Sequence, residues 1–212
     1  MTSVTPTVTP MQMAREERED VAALLAELSP AQWDMPTLCE RWRVRDVVAH
    51  MISYEDFNRA QLARRFIEGR LSIDRINALG VADFAGRSPA ELLEAVRAHL
   101  EPRGLTAGFG GLIALADGMI HQQDIRRSVG IDRTIGPDRL RAALDFALYA
   151  PLIRGAWYAR RVRLVATDLD WSHGSGPEVR GTGEALLMAM AGRKAVLDDL
   201  SGAGQFRLAR QI

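Results

Sequence analysis

The chain has 212 residues, of which 47% are hydrophobic, so it is long enough to bury a core of its own. Its 27 basic residues balance 27 acidic ones, and this zero net charge argues against a nucleic-acid-binding protein. A single cysteine, Cys39, excludes an intramolecular disulfide framework and is typical of a reducing compartment.

The first residues, "MTSVTPTVTP", lack the basic region and apolar core of a secretory signal. We therefore predict a disordered tail over residues 1–12. The most apolar stretch, "GLIALADGMI", is too short and too interrupted for a membrane span, which needs about 20 apolar residues. These features predict a cytoplasmic protein that does not bind membranes.

Apolar residues then recur at helical spacing. They predict a first helix in "REEREDVAALLAELSP", with its apolar stripe at Val21, Leu24, Leu25 and Leu28. A long second helix that bends near Tyr54 is predicted in "VRDVVAHMISYEDFNRAQLARRFIEG", followed by a looser stretch.

Two further helices complete the first region. Ser88 and Glu91 form a capping box ahead of the third helix. The fourth extends from about Gly111 to Val129, with Gly130 in the position that usually ends a helix. Four amphipathic helices predict a helical bundle over residues 13–136.

The remaining residues, 137–212, predict a smaller α+β domain. Helices are expected in "PDRLRAALDFALYAPLIRGAW" and "GEALLMAMAGR". The run "RRVRLVAT" is typical of a strand, and "GQFRLARQ" is interpreted as a closing strand.

The fourth helix carries an unusual set of polar residues within "LADGMIHQQDIRR". Asp117, His121 and Asp124 fall within roughly 60° of one another on one helix face. His50 lies among apolar residues of the second helix and is expected to point inward. His50, Asp117 and His121 therefore form a candidate metal site with a position left open for water or substrate.

Other interpretations of these residues remain open. The alternative is a pair of hydrogen-bonded core histidines, with Asp117 solvated or paired to an arginine. Asp124 either orients His121 as a partner outside the metal ligands or pairs with Arg126, Arg127 or a more distant arginine.

The remaining candidates are weaker. His99 is interpreted as a helix-end residue and His173 as an exposed turn residue. Cys39 has no neighbouring motif that supplies a base, so a small buried thiol is the expected outcome.

Several of these residues together resemble a known family. The stretch "TLCERWRVRDVVAHM", with Thr37, Cys39, Trp42, Asp46 and His50, is similar to the N-terminal pattern of mycothiol-dependent maleylpyruvate isomerase-like proteins. These proteins are an actinobacterial branch of the DinB-like four-helix metalloproteins.

The resemblance continues along the chain. "DGMIHQQDIRRSVG" resembles the second pattern of the family, and "ATDLDWSHGSGPEVRGTGEALLMAMAGR" resembles its sterol-carrier-like C-terminal region. Two positions depart from the pattern: Asp117 stands where Glu is usual, and Arg43 stands where a Thr often caps the helix.

The resemblance implies a fold and a function. The fold is a mainly α, DinB-like four-helix bundle followed by a smaller α+β, sterol-carrier-like region. The implied cofactors are a divalent metal, zinc above all, held by His50, Asp117 and His121, with Asp124 behind them, and mycothiol as the thiol cosubstrate. The implied activity is transfer or isomerisation of a small electrophilic substrate through a metal-activated thiolate.

Two rival functions remain at this point. One is a non-catalytic protein that binds a small molecule, and the other is a metal hydrolase that needs no thiol. The expected partners are a small-molecule substrate and a low-molecular-weight thiol, with the chain as a monomer or homodimer.

Overall fold

The computed structural model describes residues 8–212, which form two compact units. The first unit comprises the described residues up to Met35 together with Trp42–Gly118. The second comprises Pro36–Arg41 and Met119–Ile212. Within the described part of the chain, no helix is both long enough and apolar enough to cross a membrane.

The first unit is built from helices. In chain order they are α1 (Pro10–Glu27), α2 (Val44–Ile52), α3 (Arg59–Glu68), α4 (Ile73–Ala82), α5 (Pro89–Ala98) and the first part of α6 (Leu112–Val129). Helices α1 and α2 both pack against α5. The predicted apolar stripe of α1 is buried in this packing, at Val21, Leu24, Leu25 and Leu28.

The predicted second helix is not continuous: at the predicted bend near Tyr54 the structure divides it into α2 and α3. The side chain of Asn58 accepts a hydrogen bond from the Gln61 N–H at 2.9 Å, and Gln61 accepts the Asn58 N–H at 2.9 Å. This capping box starts a new helix at Arg59. The amphipathic pattern continues across the break and conceals it. The looser stretch that follows contains α4.

The start of α1 also differs from expectation. The helix begins at Pro10, inside the predicted 1–12 tail, because Thr9 caps it. The Thr9 hydroxyl accepts the Gln12 N–H at 3.2 Å, and the Thr9 N–H donates to the Gln12 side chain at 2.8 Å. The first seven residues of the predicted tail lie outside the described residues.

The second unit contains the small α+β region. Its elements are the rest of α6, α7 (Pro137–Tyr149), α8 (Gly155–Tyr158), β1 (Arg163–Ala166), β2 (Ser172–Gly174), β3 (Glu178–Gly181), α9 (Gly183–Met190) and α10 (Gln205–Ala209). In the sheet, β1 pairs with β2 in antiparallel and with β3 in parallel orientation. Helix α9 is buried along its length and packs against α7, β1 and β3. A mainly α fold with a smaller α+β region is confirmed.

The predicted closing strand is wrong, since its residues form α10. In a strand, Phe206 and Leu208 would share one face. In the structure Leu208 is fully buried, whereas Phe206 is 74% exposed. A helix separates the two side chains in this way, and a run this short does not distinguish the two periodicities.

The capping box of α5 is confirmed and supports a stability prediction. The Ser88 hydroxyl accepts the Glu91 N–H at 3.3 Å, and the Ser88 N–H donates to Glu91 at 2.7 Å. We expect Ser88→Ala to lower the free energy of unfolding by about 1 kcal/mol, measured by urea denaturation. Ser72 is a matched control, because it precedes α4 without a side-chain cap bond among the described residues. Equal losses in the two variants would contradict this role for Ser88.

Candidate metal centre

His50 and Asp117 meet within the first unit. His50 lies near the end of α2 and is 7% exposed, since the apolar face of that helix faces the core. Its Nε2 atom lies 3.5 Å from Oδ1 of Asp117. Two ligands bound about 2.1 Å from one ion with tetrahedral geometry are about 3.4 Å apart. The separation of these two atoms therefore suits a shared cation as well as a weak direct contact.

Asp117 reaches His50 although its side chain is one methylene shorter than Glu. The adjacent residue on α6 is Gly118, and a Cβ atom added there would lie 3.4 Å from Cγ of Glu17 and 4.0 Å from Cε of Met51. The space between α6 and these side chains of α1 and α2 is therefore about the size of one methyl group. With this packing, Asp117 comes within 3.5 Å of His50.

His121 and Asp124 meet within the second unit. Nδ1 of His121 lies 3.0 Å from Oδ2 of Asp124, and both side chains are buried. Arg193 donates to the same carboxylate, from Nε to Oδ1 at 2.8 Å and from Nη2 to Oδ2 at 2.6 Å. Asp124 therefore makes both kinds of contact that were alternatives in the sequence: it orients His121 and it pairs with a distant arginine.

The electrostatics of Asp124 follow from these contacts. Burial alone raises the pKa of a carboxyl group, because it disfavours the charged form. The hydrogen bonds from Arg193 and His121 outweigh that effect and hold the pKa of Asp124 below its ordinary value. The buried group is therefore a carboxylate at neutral pH. Because a carboxylate only accepts hydrogen bonds, Nδ1 of His121 carries a hydrogen, and in this tautomer of the neutral ring the lone pair lies on Nε2.

Helix α6 carries Asp117 and His121 one turn apart. A spacing of four residues separates two side chains by only about 40° around the helix axis. The acid that meets His50 and the imidazole that is oriented by Asp124 therefore project from one face of a single helix.

Cys39 also lies beside His121, which the sequence did not indicate. Its Sγ, a ring nitrogen of His121 and a carboxylate oxygen of Asp124 all lie within 4.8 Å of one another. The segment is held by the Leu38 N–H, which donates to the Asp124 carbonyl at 3.4 Å, and by the Cys39 N–H, which donates to Thr37 at 3.2 Å. Cys39 is half-buried. A base thus lies near this thiol.

The start of α2 shows how the second departure from the family pattern is accommodated. Arg43 occupies the N-cap position, and within residues 8–212 its side chain makes no cap hydrogen bond. Asp46 supplies the other half of a capping box, because its carboxylate accepts the Arg43 N–H at 3.0 Å. The helix that carries His50 therefore keeps one of the two capping interactions at its start.

The other two histidines lie in different surroundings. His99 is the C-cap of α5, as predicted for a helix-end residue, and its Nε2 lies 3.1 Å from Asp56. His173 lies in β2 and stacks against Trp171, so the interpretation as an exposed turn residue is wrong. A strand of three residues between turn residues gives too weak a pattern to recognise.

A polar cavity of about 650 Å³ lies in the second unit. It is lined in part by Gln123 and Arg127 of α6. Arg127 donates to Glu184 at 2.5 Å and to Asp199 at 2.7 Å, and these hydrogen bonds hold the pKa of Arg127 above its ordinary value. Gln123 also donates to Glu184 at 2.9 Å. These side chains of the cavity lining thus bond to one another, and the bonds to Glu184 connect α6 with the start of α9.

The sequence itself identifies the family of this chain. Residues 14–124 match the family model of the mycothiol maleylpyruvate isomerase N-terminal domain. The chain belongs to this family. The match includes His50, Asp117, His121 and Asp124 and ends before the C-terminal region that contributes Arg193.

Solved structures agree with the fold of this family. Two crystal structures of a mycothiol-dependent maleylpyruvate isomerase, one of them a histidine-to-alanine mutant, are similar to the chain with a TM-score of 0.62. In each comparison the identity is 15%, and 92% of both chains is covered. At this identity the likeness concerns the fold alone. No curated protein is similar enough in sequence to count as a match.

Sequence reasoning missed Arg193, which lies 69 residues from Asp124 and carries no recognisable motif. We expect Arg193→Ala to lower the free energy of unfolding by roughly 3 kcal/mol, because it leaves the Asp124 carboxylate buried without its guanidinium partner. Urea denaturation measures this loss.

Arg207 provides the matched control for this variant. Its side chain is exposed and donates to the Arg161 carbonyl at 3.1 Å. Arg207→Ala should change stability by no more than about 0.5 kcal/mol. If the two arginine variants unfold at the same urea concentration, Arg193 does not stabilise the buried carboxylate.

Proposed function

We propose that this chain is a mycothiol-dependent isomerase or S-transferase that acts on a small electrophilic substrate. We further propose that His50, Asp117 and His121 hold a divalent cation, with zinc favoured by their nitrogen and oxygen donors. Membership of the mycothiol maleylpyruvate isomerase N-terminal domain family supports the thiol dependence.

The separation of 3.5 Å between His50 Nε2 and Asp117 Oδ1 carries the metal proposal. The third ligand, His121, follows one helical turn after Asp117 on the same face of α6. Its Nδ1 is hydrogen-bonded to Asp124, so Nε2 is the ring nitrogen that would bind the cation. A histidine with a carboxylate on its other nitrogen is the usual arrangement at protein zinc sites. The proposal requires His50 and His121 to reach one ion.

Each residue then has a defined task. When bound, the cation favours the thiolate form of a nearby thiol, which is its nucleophilic form. Asp124 fixes the tautomer and ring orientation of His121. Arg193 holds Asp124 in its ionised form inside the protein. Asp117 supplies the negative charge that makes the donor set selective for a cation.

Metal retention tests the assignment. Asp117→Asn keeps the shape of the side chain but removes its charge, and His121→Ala removes a ligating nitrogen, so both should lose metal. Asp124→Asn should be milder, with affinity lower by roughly ten- to a hundredfold, because it only orients a ligand. The measurement is bound zinc per chain after dialysis, with circular dichroism to confirm folding.

His173→Ala is the control for a histidine outside the site, and it should retain zinc like the unaltered protein. Full zinc occupancy in a folded Asp117→Asn protein would remove Asp117 from the ligands. Zinc binding without any thiol-dependent turnover would favour the binding-protein or hydrolase alternative.

A second candidate function comes from the position of Cys39. Cys39, His121 and Asp124 each place one polar atom within 4.8 Å of the other two. A thiol, an imidazole and a carboxylate are the groups that serve as nucleophile, base and orienting partner of the base in thiol enzymes. In that case the attacking sulfur would belong to the protein and not to mycothiol.

Replacement of Cys39 separates the two candidates. If mycothiol supplies the sulfur, Cys39→Ser should keep its thiol-dependent turnover within about threefold of the unaltered protein, since only packing around a half-buried side chain changes. The measurement is turnover against mycothiol concentration, at equal metal content. Loss of turnover in a folded, metal-loaded Cys39→Ser protein would favour the protein thiol as the nucleophile.

A further inference from the structure

The imidazole of His50 contacts two aromatic side chains of the first unit. The Trp42 ring centroid is 4.8 Å from that of His50, with the ring planes tilted by 44°. The Tyr54 ring makes an edge-to-face contact with His50, with the ring centroids 6.0 Å apart and the ring planes at 87°. Both distances fall in the range of favourable aromatic contacts. Packing on these rings limits the rotation of the His50 side chain.

Tyr54 is itself held by a hydrogen bond. Its hydroxyl donates to Oδ1 of Asn77 on α4 at 2.6 Å. Only 8% of Tyr54 is exposed, and burial, together with the charge of Asp117, raises the pKa of its phenol to about 12. The hydroxyl therefore keeps its proton and remains a donor at neutral pH.

The packing of α4 explains why Asn77 reaches Tyr54. Gly80 follows Asn77 by three residues on the same helix, and a Cβ atom added at Gly80 would lie 2.6 Å from Oγ of Ser53. Only glycine permits this approach without a shift of the neighbouring atoms. Ser53 immediately precedes Tyr54, and its Oγ donates to the His50 carbonyl at 2.9 Å. The helix α4 is therefore pressed against the turn that follows His50.

We propose that Asn77 and Tyr54 are positioning residues, and that their hydrogen bond fixes the ring orientation in which His50 presents Nε2 toward Asp117. The consequence for metal affinity rests on the proposed function above. The restriction of the His50 ring is independent of it, because every contact in this chain of residues exists without a metal.

The test uses the full chain and two readouts. In the metal-free protein, the His50 ring-proton NMR signal, assigned by its loss in His50→Gln, reports the ring-current fields of Trp42 and Tyr54. Asn77→Ala and Tyr54→Phe should both move this signal. Zinc titration should then give a Kd raised roughly three- to tenfold in each, below the range of ten- to a hundredfold for direct partners of a ligand.

The double variant Asn77→Ala/Tyr54→Phe sharpens the test. If both residues act through one hydrogen bond, the combined change in Kd should equal that of either single variant and not their product. Tyr149→Phe is the matched control, since Tyr149 is 79% exposed, and it should change neither readout.

The outcomes distinguish the two proposals. An unmoved His50 signal in both single variants overturns the positioning role, whatever happens to metal binding. A moved signal with an unchanged Kd overturns its importance for the metal. If the unaltered protein binds no zinc, the proposed function fails, and the NMR signal alone then decides whether Asn77 and Tyr54 orient His50.

Discussion

The buried carboxylate of Asp124 is the constraint on which the candidate site depends. An uncompensated charge in the interior is costly, and Asp124 is fully buried. Three N–H groups compensate it: two from Arg193 and one from Nδ1 of His121. The same hydrogen bonds decide what His121 can do, because they place a hydrogen on Nδ1, so that the lone pair of the neutral ring lies on Nε2. The protonation of one acid thus determines the chemistry of the neighbouring imidazole.

The second constraint is the regularity of α6. Its 18 residues include Asp117, which meets His50 in the first unit, and His121, which meets Asp124 in the second. Four residues of helix advance about 6 Å along the axis, so the offset of the two side chains is set by backbone hydrogen bonds and not by loop conformation. A candidate site built on helices holds its donors more accurately than one built on loops.

These two constraints differ in how far the sequence predicts them. The spacing of Asp117 and His121, the burial of His50 and the capping box at Ser88 are local patterns, and each was predicted from a few adjacent residues. Contacts between distant segments leave no such pattern. The tertiary fold brings Arg193 to Asp124 and Cys39 to His121, so no spacing in the sequence predicts these contacts. The start of a separate helix α3 was not predicted for another reason: the amphipathic period of the sequence continues through the cap at Asn58.

The two departures from the family pattern are each accompanied by a structural feature close by in the sequence. A shorter acid at Asp117 coincides with a close backbone at Gly118, and the acid still comes within 3.5 Å of His50. An arginine at position 43 provides no side-chain cap within the described part of the chain, and the Asp46 carboxylate accepts the N–H of Arg43 itself. In both cases the relevant neighbour is one to three residues away in the sequence. The approach of Asp117 to His50 and the start of α2 therefore depend on the backbone and on adjacent side chains as well as on the residue types at positions 117 and 43.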